Sequence, residues 1–596
     1  MKEEWYKHPN NLVEMFEISA KKYANRNCIA TKNSEGVYEW ITYRELAARV
    51  DNLRGGLAQI DIGKGDTVGL IINNSVEWAV IAFATYGLNA RLVPMYEKEL
   101  EKVWRYIVED GDVKVLFVVN DDVYEKIKGY KDEISTLQNI YIIRSKAENS
   151  MKSLEELGAK NPTPSVKPHW SDIAGLIYTS GTTGDPKGVL LSHGNFTSNV
   201  HASKVSYPDI TPNDVSFSIL PWAHSFGQTC ELYFNLSSGE SCGLMDTTET
   251  LTIDLPKIRP TILIAVPRIF NKIYQGIYFK MKQEGPKKEK LFQDALKTAE
   301  ALRTGEKAGF KNKLISKVVF KKVRELFGGR LRYAITGSAV MNPEIAQFFI
   351  DVGIPTYDGY GMTETSPVIT ANCPAANKLG SVGKPIENIT VVIDKSLVGE
   401  DSEDGEIICY GPNVMQGYYK KPEKTKEVIV EDPKLGKGVR TGDRGRIDED
   451  GFLFITGRFK EEFKLENGKY VHPASIEEEL KLNNFIANAM IYGDGKTHTV
   501  CILVPDFQIL PMFTKQAGIT ETNPQELIKN PKIKQFLSGQ AEEQLKGTFG
   551  GYEIPREFLI IAEDFTIENG MLTQTMKLKR RNVLKNYGAE LEALYK

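Results

Sequence analysis

Short apolar runs alternate with longer amphipathic stretches along most of this chain. Residues 67–72, 115–119, 173–178, 261–266, 331–336 and 354–357 are each brief, apolar and bounded by turn-forming residues, a pattern that predicts buried strands. The segments between them carry helical periodicity, and such alternation predicts an α/β fold with layered, mostly parallel sheets flanked by helices. The alternation holds to about residue 457. Beyond it the pattern predicts a smaller α+β unit, with a helix over 474–482, strands over 487–492 and 499–504, and a terminal helix over 582–595. Residues 311–327 set Leu314, Ile315, Val318, Val319, Val323 and Leu326 at helical spacing against Lys311, Lys313, Lys317, Lys321, Lys322 and Arg324. That pattern predicts an apolar face packed on the body under a solvated basic face, with an anionic membrane as the other reading.

Composition narrows the picture. At 596 residues the chain exceeds one ordinary core and should hold at least two domains. A net charge of −3 supplies no electrostatic reason to expect nucleic acid. The six cysteines, at 28, 230, 242, 373, 409 and 501, form no CxxC and no Cys/His grouping at zinc spacing, so reduced thiols in a cytoplasmic setting are expected. The most hydrophobic early stretch, 67–88, is interrupted by Asn73, Asn74, Ser75 and Glu77, too polar to span a bilayer. Membrane contact is therefore expected to be peripheral, and a monomer and a homodimer both stay open.

The most informative segment follows the apolar run 173–178. Gly181, Gly184 and Gly188 free the backbone to wrap a ligand. Among them stand the hydroxyls of Ser180, Thr182 and Thr183 and the ammonium of Lys187. Backbone N–H groups, hydroxyls and one cation are the parts that hold a polyphosphate. The spacing is not that of a Walker A loop.

This segment resembles the phosphate loop of the adenylate-forming enzymes, which include acyl- and aryl-CoA synthetases, luciferases and peptide-synthetase adenylation domains. The resemblance implies that Ser180, Gly181, Thr182, Thr183, Gly184 and Lys187 bind ATP through its phosphates. The chemistry explains the demand. A carboxylate is a poor acyl donor; attack on the α-phosphate of ATP makes an acyl-AMP, whose AMP a thiol then displaces. Two anions must be positioned and the departing pyrophosphate neutralised, which calls for cations, Mg²⁺ and rigid donors.

Further segments match the same family in order. Asp358-Gly359-Tyr360-Gly361-Met362-Thr363-Glu364 follows the run 354–357, which places it at a strand's carboxyl end, where α/β folds bind ligands. The resemblance implies that Tyr360 stacks on adenine, Thr363 meets the α-phosphate, and Glu364 with Thr183 helps hold Mg²⁺. Gly337, Ser338 and Ala339 resemble the second wall of the adenine pocket. Asp443 and Arg458 are similar to the ribose-binding pair. Lys460 falls on the hinge of the family's mobile small domain, which sets the expected domains at 1–459 and 460–596. Lys464 and Gly468 align with positions used in the thioester-forming state. Lys577, in Thr573-Gln-Thr-Met-Lys577-Leu-Lys-Arg-Arg581, matches the adenylation lysine; many relatives have Ser-Gly-Lys there, and this form resembles the long-chain branch. By the same likeness Lys577, Thr182, Thr183, Lys187 and Glu364 form the catalytic set.

The segment 220–226 resembles the lining of the acid pocket, with His224 as a wall and Trp222 either gating an acyl tunnel or filling the core. The run 266–274 and the long helical insertion to about residue 327 look like the long-chain acyl-CoA synthetases. The expected activity is an AMP-forming long-chain fatty acid–CoA ligase that uses ATP, Mg²⁺ and CoA. An acyl-AMP ligase serving an acyl carrier protein is the enzymatic alternative, and a non-catalytic lipid-binding protein the remote one.

Overall fold

Two large sheets carry the first part of the chain. The computed structural model describes residues 9–179, 186–247, 250–307, 309–399, 401–459, 461–573 and 577–596. Ser180, Gly181, Thr182, Thr183, Gly184 and Lys460 lie outside the described residues. One sheet has nine strands, in the order Lys384–Pro385, Val368–Ala371, Thr356–Gly361, Tyr333–Thr336, Ile262–Ala265, Val215–Ser218, Ser241–Leu244, Asn27–Lys32 and Tyr38–Thr42. Its inner pairings are parallel and its edge pairings antiparallel. The other has seven, in the order Gly417–Tyr418, Lys187–Ser192, Ile173–Thr179, Arg91–Met95, Thr67–Ile71, Val113–Val118 and Asn139–Ile142. The α/β reading of the alternating pattern holds. Parallel strands covered on both faces must be apolar throughout, which is why these runs were legible.

The helix Val76–Tyr86 is buried along nearly its whole length. A helix apolar all round has no solvent face to offer, so it belongs inside a core. Strand Thr67–Ile71 precedes it, and Ser75, one of the polar interruptions, caps it by accepting the Trp78 N–H at 3.1 Å. Among the described residues no helix is long and apolar enough to cross a membrane.

Two expectations need correction. The motif strand runs Thr356–Gly361, so Asp358 to Gly361 lie within it rather than after it. Its parallel pairing stops at Thr336↔Asp358, and Gly359 to Gly361 pair antiparallel with Val368–Ala371. The change of partner, not the end of the strand, marks the carboxyl end of the parallel segment. The basic helix spans Phe310–Glu325 and buries Ser316, Phe320 and Val323, while Leu314, Val318 and Leu326 stand exposed. Periodicity counted every apolar residue toward one face, but packing selected a narrower arc centred on Phe320.

Contacts divide the chain into two compact units, one of Met1–Asp394, Ile407–Thr441 and Ile447–Phe454, the other of Lys395–Glu406, Gly442–Arg446 and Ile455–Lys596. In the second, strands Ile486–Tyr492, Val500–Pro505 and Glu557–Ile560 form a sheet. Arg580, at the start of the helix Arg580–Ala593, donates from two nitrogens to the two oxygens of Glu477, both at 2.6 Å. Glu477 also accepts the Ile491 N–H at 2.7 Å. This buried fork joins the helix Pro473–Leu480, the first strand and the terminal helix. Bidentate pairs of this kind are geometrically demanding and costly to break once buried.

A π-helix, Gly227–Tyr233, buries a carboxylate in the first unit. Glu231 accepts the Ile219 and Leu220 N–H groups, each at 3.1 Å, and the Ser218 hydroxyl. From the other side Asn74 accepts the Trp222 N–H at 2.8 Å and donates to Leu220 O at 2.7 Å. The segment proposed to line an acid pocket is thus pinned at its root. Burial pushes the Glu231 carboxyl from 4.5 up to about 8, although the surrounding hydrogen-bond donors oppose the shift. A folded-state value above the unfolded one contributes stability that is present below the lower value and lost as pH rises through the upper one. Glu231→Gln removes that titration. Relative to the native protein, the variant should gain about 1.4 kcal/mol per pH unit across this window. Parallel stability curves from denaturant melts over the same pH range would refute this.

Candidate functional site

The strand Ile173–Thr179 and the strand Lys187–Ser192 pair antiparallel, with Thr179 opposite Lys187 and Tyr178 opposite Gly188. The two ends that flank the glycine- and hydroxyl-bearing stretch therefore face each other. Tyr178 anchors the first strand by donating to Asp110 Oδ2 at 2.7 Å. A Cβ on Gly188 would meet the Tyr178 ring at 3.0 Å. That residue is glycine because an aromatic ring lies against its backbone.

Lys187 opens the return strand and sets its ammonium 4.6 Å from the centre of the Tyr418 ring. Tyr418 lies on the neighbouring strand, opposite Val189. Its hydroxyl donates to Glu364 Oε1 at 2.7 Å, and the Met415 N–H holds the Glu364 carbonyl at 2.9 Å. Burial, and then the Glu364 carboxylate, hold the Tyr418 phenol well above its ordinary value, so it stays a neutral donor. Lys187 and Glu364 are remote in sequence, and a phenol that sequence reasoning missed meets both, one at its ring face and the other at its hydroxyl. A cation over an aromatic face is worth about 0.5–1 kcal/mol at exposed sites, and a hydrogen bond to a carboxylate about 1.5–3 kcal/mol. The signal available was slight: Gly417-Tyr418-Tyr419 in a short polar run.

The adenine-wall candidates are held by Asp358. Its buried carboxylate accepts the Thr336 hydroxyl and, at 3.3 Å, the Met341 N–H. It thereby ties the motif strand to the turn that contains Gly337, Ser338 and Ala339. Burial pushes its carboxyl up to about 6, against the pull of both donors. Gly337 is required there, since a Cβ would meet Phe226 Cζ at 2.9 Å. Ser338 and Ser366 take left-handed φ values of 71° and 68°, uncommon for residues with a side chain and most often retained at binding sites. Gly361 passes so close to Pro367 that a Cβ would lie 1.9 Å from its carbonyl oxygen. Tyr360 is half-buried beside it.

Met362 leads from the strand into the turn Thr363–Thr365. Thr363 shares a hydrogen bond with Ser225 at 3.2 Å, both buried. This contact brings the acid-pocket segment to the motif. Sequence reasoning chose His224 and Trp222 from that segment and passed over Ser225. The His224 ring accepts the Phe226 N–H at 3.2 Å. Trp222 is buried and packs edge-on against Trp78, ring centres 5.7 Å apart, which places it in the core.

The remaining candidates lie in the second unit. Arg458 Nε donates to Asp443 Oδ1 at 2.6 Å, and the Phe459 N–H to Gly442 O at 3.1 Å. The expected pair therefore meets. Lys464 pairs with Tyr470 in a two-stranded hairpin and stands 5.4 Å from that ring, with Gly468 at a left-handed φ of 84° in the turn. The Lys577 N–H donates to Thr573 Oγ1 at 3.0 Å, and its carbonyl accepts the Thr573 N–H at 2.8 Å. Met571 and Leu572, which precede Thr573, are buried. Of the cations that follow, Arg580 is paired with Glu477.

Mg²⁺ is the one metal the expected chemistry calls for. Among the described residues no group of three or more histidines, cysteines or carboxylates could hold a metal. A lone carboxylate with one oxygen engaged, as in Glu364, suits an ion that takes most of its ligands from phosphates and water.

Residues 16–419 match the family model for AMP-binding enzymes, and residues 461–596 the model for the AMP-binding enzyme C-terminal domain. The peroxisomal long chain acyl-CoA synthetase 6 of Arabidopsis thaliana is 31% identical over 99% of this chain and 87% of that protein. Long-chain-fatty-acid–CoA ligase 6 of Rattus norvegicus is 30% identical over the same shares, 99% and 87%. The adenylation domain of a carboxylic acid reductase from Segniliparus rugosus superposes with a TM-score of 0.77 at 23% identity, covering 100% of this chain and 95% of that one. The anthranilate CoA ligase AuaEII does so with a TM-score of 0.75 at 20% identity, over 99% and 100%. With its fold, its motif order and its full length thus accounted for, the chain belongs to the AMP-binding enzyme family.

Proposed function

We propose that this protein is an AMP-forming ligase that activates a long-chain fatty acid with ATP and transfers it to CoA. The observation that carries the reading is the near-full-length likeness to long-chain acyl-CoA synthetases at 31% identity. The arrangement of Lys187, Tyr418 and Glu364 beside the glycine-rich stretch supports it. In the first half-reaction a carboxylate oxygen of the acid attacks the α-phosphorus, and the bond to pyrophosphate breaks. In the second, the CoA sulfur attacks the acyl carbon and AMP departs with the electron pair of the C–O bond. The products are acyl-CoA, AMP and pyrophosphate.

Each residue receives a limited task. Lys187, with the hydroxyls of Thr182 and Thr183 and the backbone of Ser180, Gly181 and Gly184, holds the phosphates. Glu364 and Thr183 would hold Mg²⁺, which neutralises phosphate charge when bound. Tyr418 is a positioning residue that orients the Glu364 carboxylate. Tyr360 and the turn Gly337, Ser338 and Ala339 enclose the base, and Asp443 with Arg458 takes the ribose. Lys577 stabilises charge between the acid and the α-phosphate. Lys460 serves as the hinge between domains 1–459 and 460–596, with Lys464 and Gly468 acting in the thioester-forming state. The segment with His224 lines the acid pocket. Six separate thiols support a reducing, cytoplasmic setting, and peripheral contact with a membrane belongs to the same reading.

Purified protein should catalyse palmitate-dependent exchange of pyrophosphate into ATP and should form palmitoyl-CoA. Exchange that stays silent across acids of all lengths would remove the reading, and acyl transfer to an acyl carrier protein but not to CoA would reassign the acceptor. Lys577→Ala should lower exchange about 10²–10³-fold while leaving thioester formation from supplied palmitoyl-AMP largely intact; equal loss of both half-reactions would mean another lysine acts. Tyr418→Phe should raise the Mg²⁺ concentration needed for half-maximal exchange several-fold, with kcat at saturating Mg²⁺ little changed. An unaltered Mg²⁺ dependence would deny Tyr418 its positioning role.

A further inference from the structure

The helix Phe310–Glu325 has two unlike faces. Inward, Phe320 and Val323 are buried. Just beyond its end the Phe327 ring meets Phe349 edge-on, centres 6.0 Å apart, and Arg324 Nη1 donates to Val352 O at 2.6 Å. The helix is therefore fastened to Pro343–Val352, which leads directly into the motif strand Thr356–Gly361. Outward, Phe310 is 85% exposed, Leu314 56% and Val318 54%. Positions four apart on a helix share one face, so these three form a continuous apolar stripe. Leu302, at the end of the preceding helix Pro286–Arg303, is also exposed.

The charge around the stripe is predominantly basic. Lys313 and Lys317 border one flank, and Lys311 and Lys322 the other; toward the helix end Lys321 projects between Phe310 and Leu314, and Glu325 between Leu314 and Val318. Lys321 stands 3.9 Å from Glu325, and Lys322 lies near enough to Glu284 to help lower its carboxyl, so five lysines against two acids leave the rim net positive. A merely solvated face has no need of a phenylalanine standing in water, and an exposed apolar stripe inside a polar rim marks a contact surface. A second copy of the chain would bring its own lysines against these, a like-charge juxtaposition that disfavours assembly. Nucleic acid would meet the cations and leave the stripe in water. An anionic bilayer answers both, because the apolar side chains enter the acyl boundary while lysine stems reach back to the phosphates.

We propose that Phe310, Leu314 and Val318, with their lysine rim, form a docking surface for an anionic lipid bilayer. The surface is argued from its own chemistry, and only its purpose, drawing a lipid-borne acid to the enzyme, rests on the ligase reading. The test sediments the full-length protein with vesicles of phosphatidylcholine and phosphatidylglycerol in equal parts, and with phosphatidylcholine alone. The protein should partition at least about tenfold more strongly to the anionic vesicles, and the preference should fall as salt rises. The combined variant Phe310→Ser, Leu314→Ser, Val318→Ser should lose binding about tenfold or more, with an unchanged thermal melt because all three side chains are exposed. Lys317→Glu with Lys321→Glu should erase the preference for anionic lipid.

Equal partition of the native protein to both vesicles, or full binding by the serine variant, would overturn the proposal. A dimer in vesicle-free sedimentation that the serine variant dissolves would show that a second copy covers the stripe, and would overturn it too. Palmitoyl-CoA formation from detergent-dispersed palmitate, read on the same preparations, separates the two ideas. Lipid binding without activity supports the surface and removes the ligase reading; activity without lipid binding does the reverse.

Discussion

The Tyr418 hydroxyl, donating to Glu364 beneath the Lys187 ammonium, is the contact that assembles the proposed phosphate site from three remote parts of the chain. Lys187 belongs to the hairpin of one sheet, Glu364 to the turn after a strand of the other, and Tyr418 to a two-residue edge strand. The Tyr418 ring face meets the ammonium and its hydroxyl holds the carboxylate, so one side chain positions both. The arrangement depends on the phenol staying neutral, which its burial and the adjacent carboxylate ensure.

Buried carboxylates perform the same kind of fastening elsewhere. Glu231 gathers two backbone N–H groups and a hydroxyl at the root of the acid-pocket segment. Asp358 fixes the turn around Ser338 to the motif strand, and Glu477 locks the terminal helix through Arg580. A carboxylate has two oxygens and several lone pairs, so one side chain can close several orphaned donors at once. The desolvation it suffers is compensated only while those donors stay in place, which makes each loop's geometry strict rather than merely favourable. Loops that must hold a ligand benefit from that strictness.

The insertion Pro267–Glu325 shows the opposite logic on its outer side. Its inner side chains build an aromatic cluster in which Tyr274 and Tyr278 meet Phe348, and Phe270 meets Phe349. That cluster braces the helix behind the motif strand, so the insertion is structural inward and leaves its last helix to present a distinct surface outward.

Local chemistry was legible in the sequence. Apolar runs marked the buried strands because a parallel strand covered on both faces tolerates no polar side. Asp443 and Arg458, read together from their motifs, do meet in the fold. What periodicity could not settle was which apolar residues of 311–327 would be covered, because the partner face on Pro343–Val352 comes from another part of the chain. Tyr418, Asn74, Glu231 and Ser225 were invisible for the same reason. Asn74 read as an interruption of an apolar run, and nothing in the sequence singled out Glu231. Their meaning lies in partners about 50 to 150 positions away for Tyr418, Asn74 and Ser225, and in a π-helical turn for Glu231. Sequence by itself determined the strands, the turns and the order of the motifs, since these depend on each residue's neighbours along the chain. Only the tertiary structure decided which polar groups share a site, because a hydrogen bond requires two atoms within about 3 Å, and folding alone brings such distant residues that close.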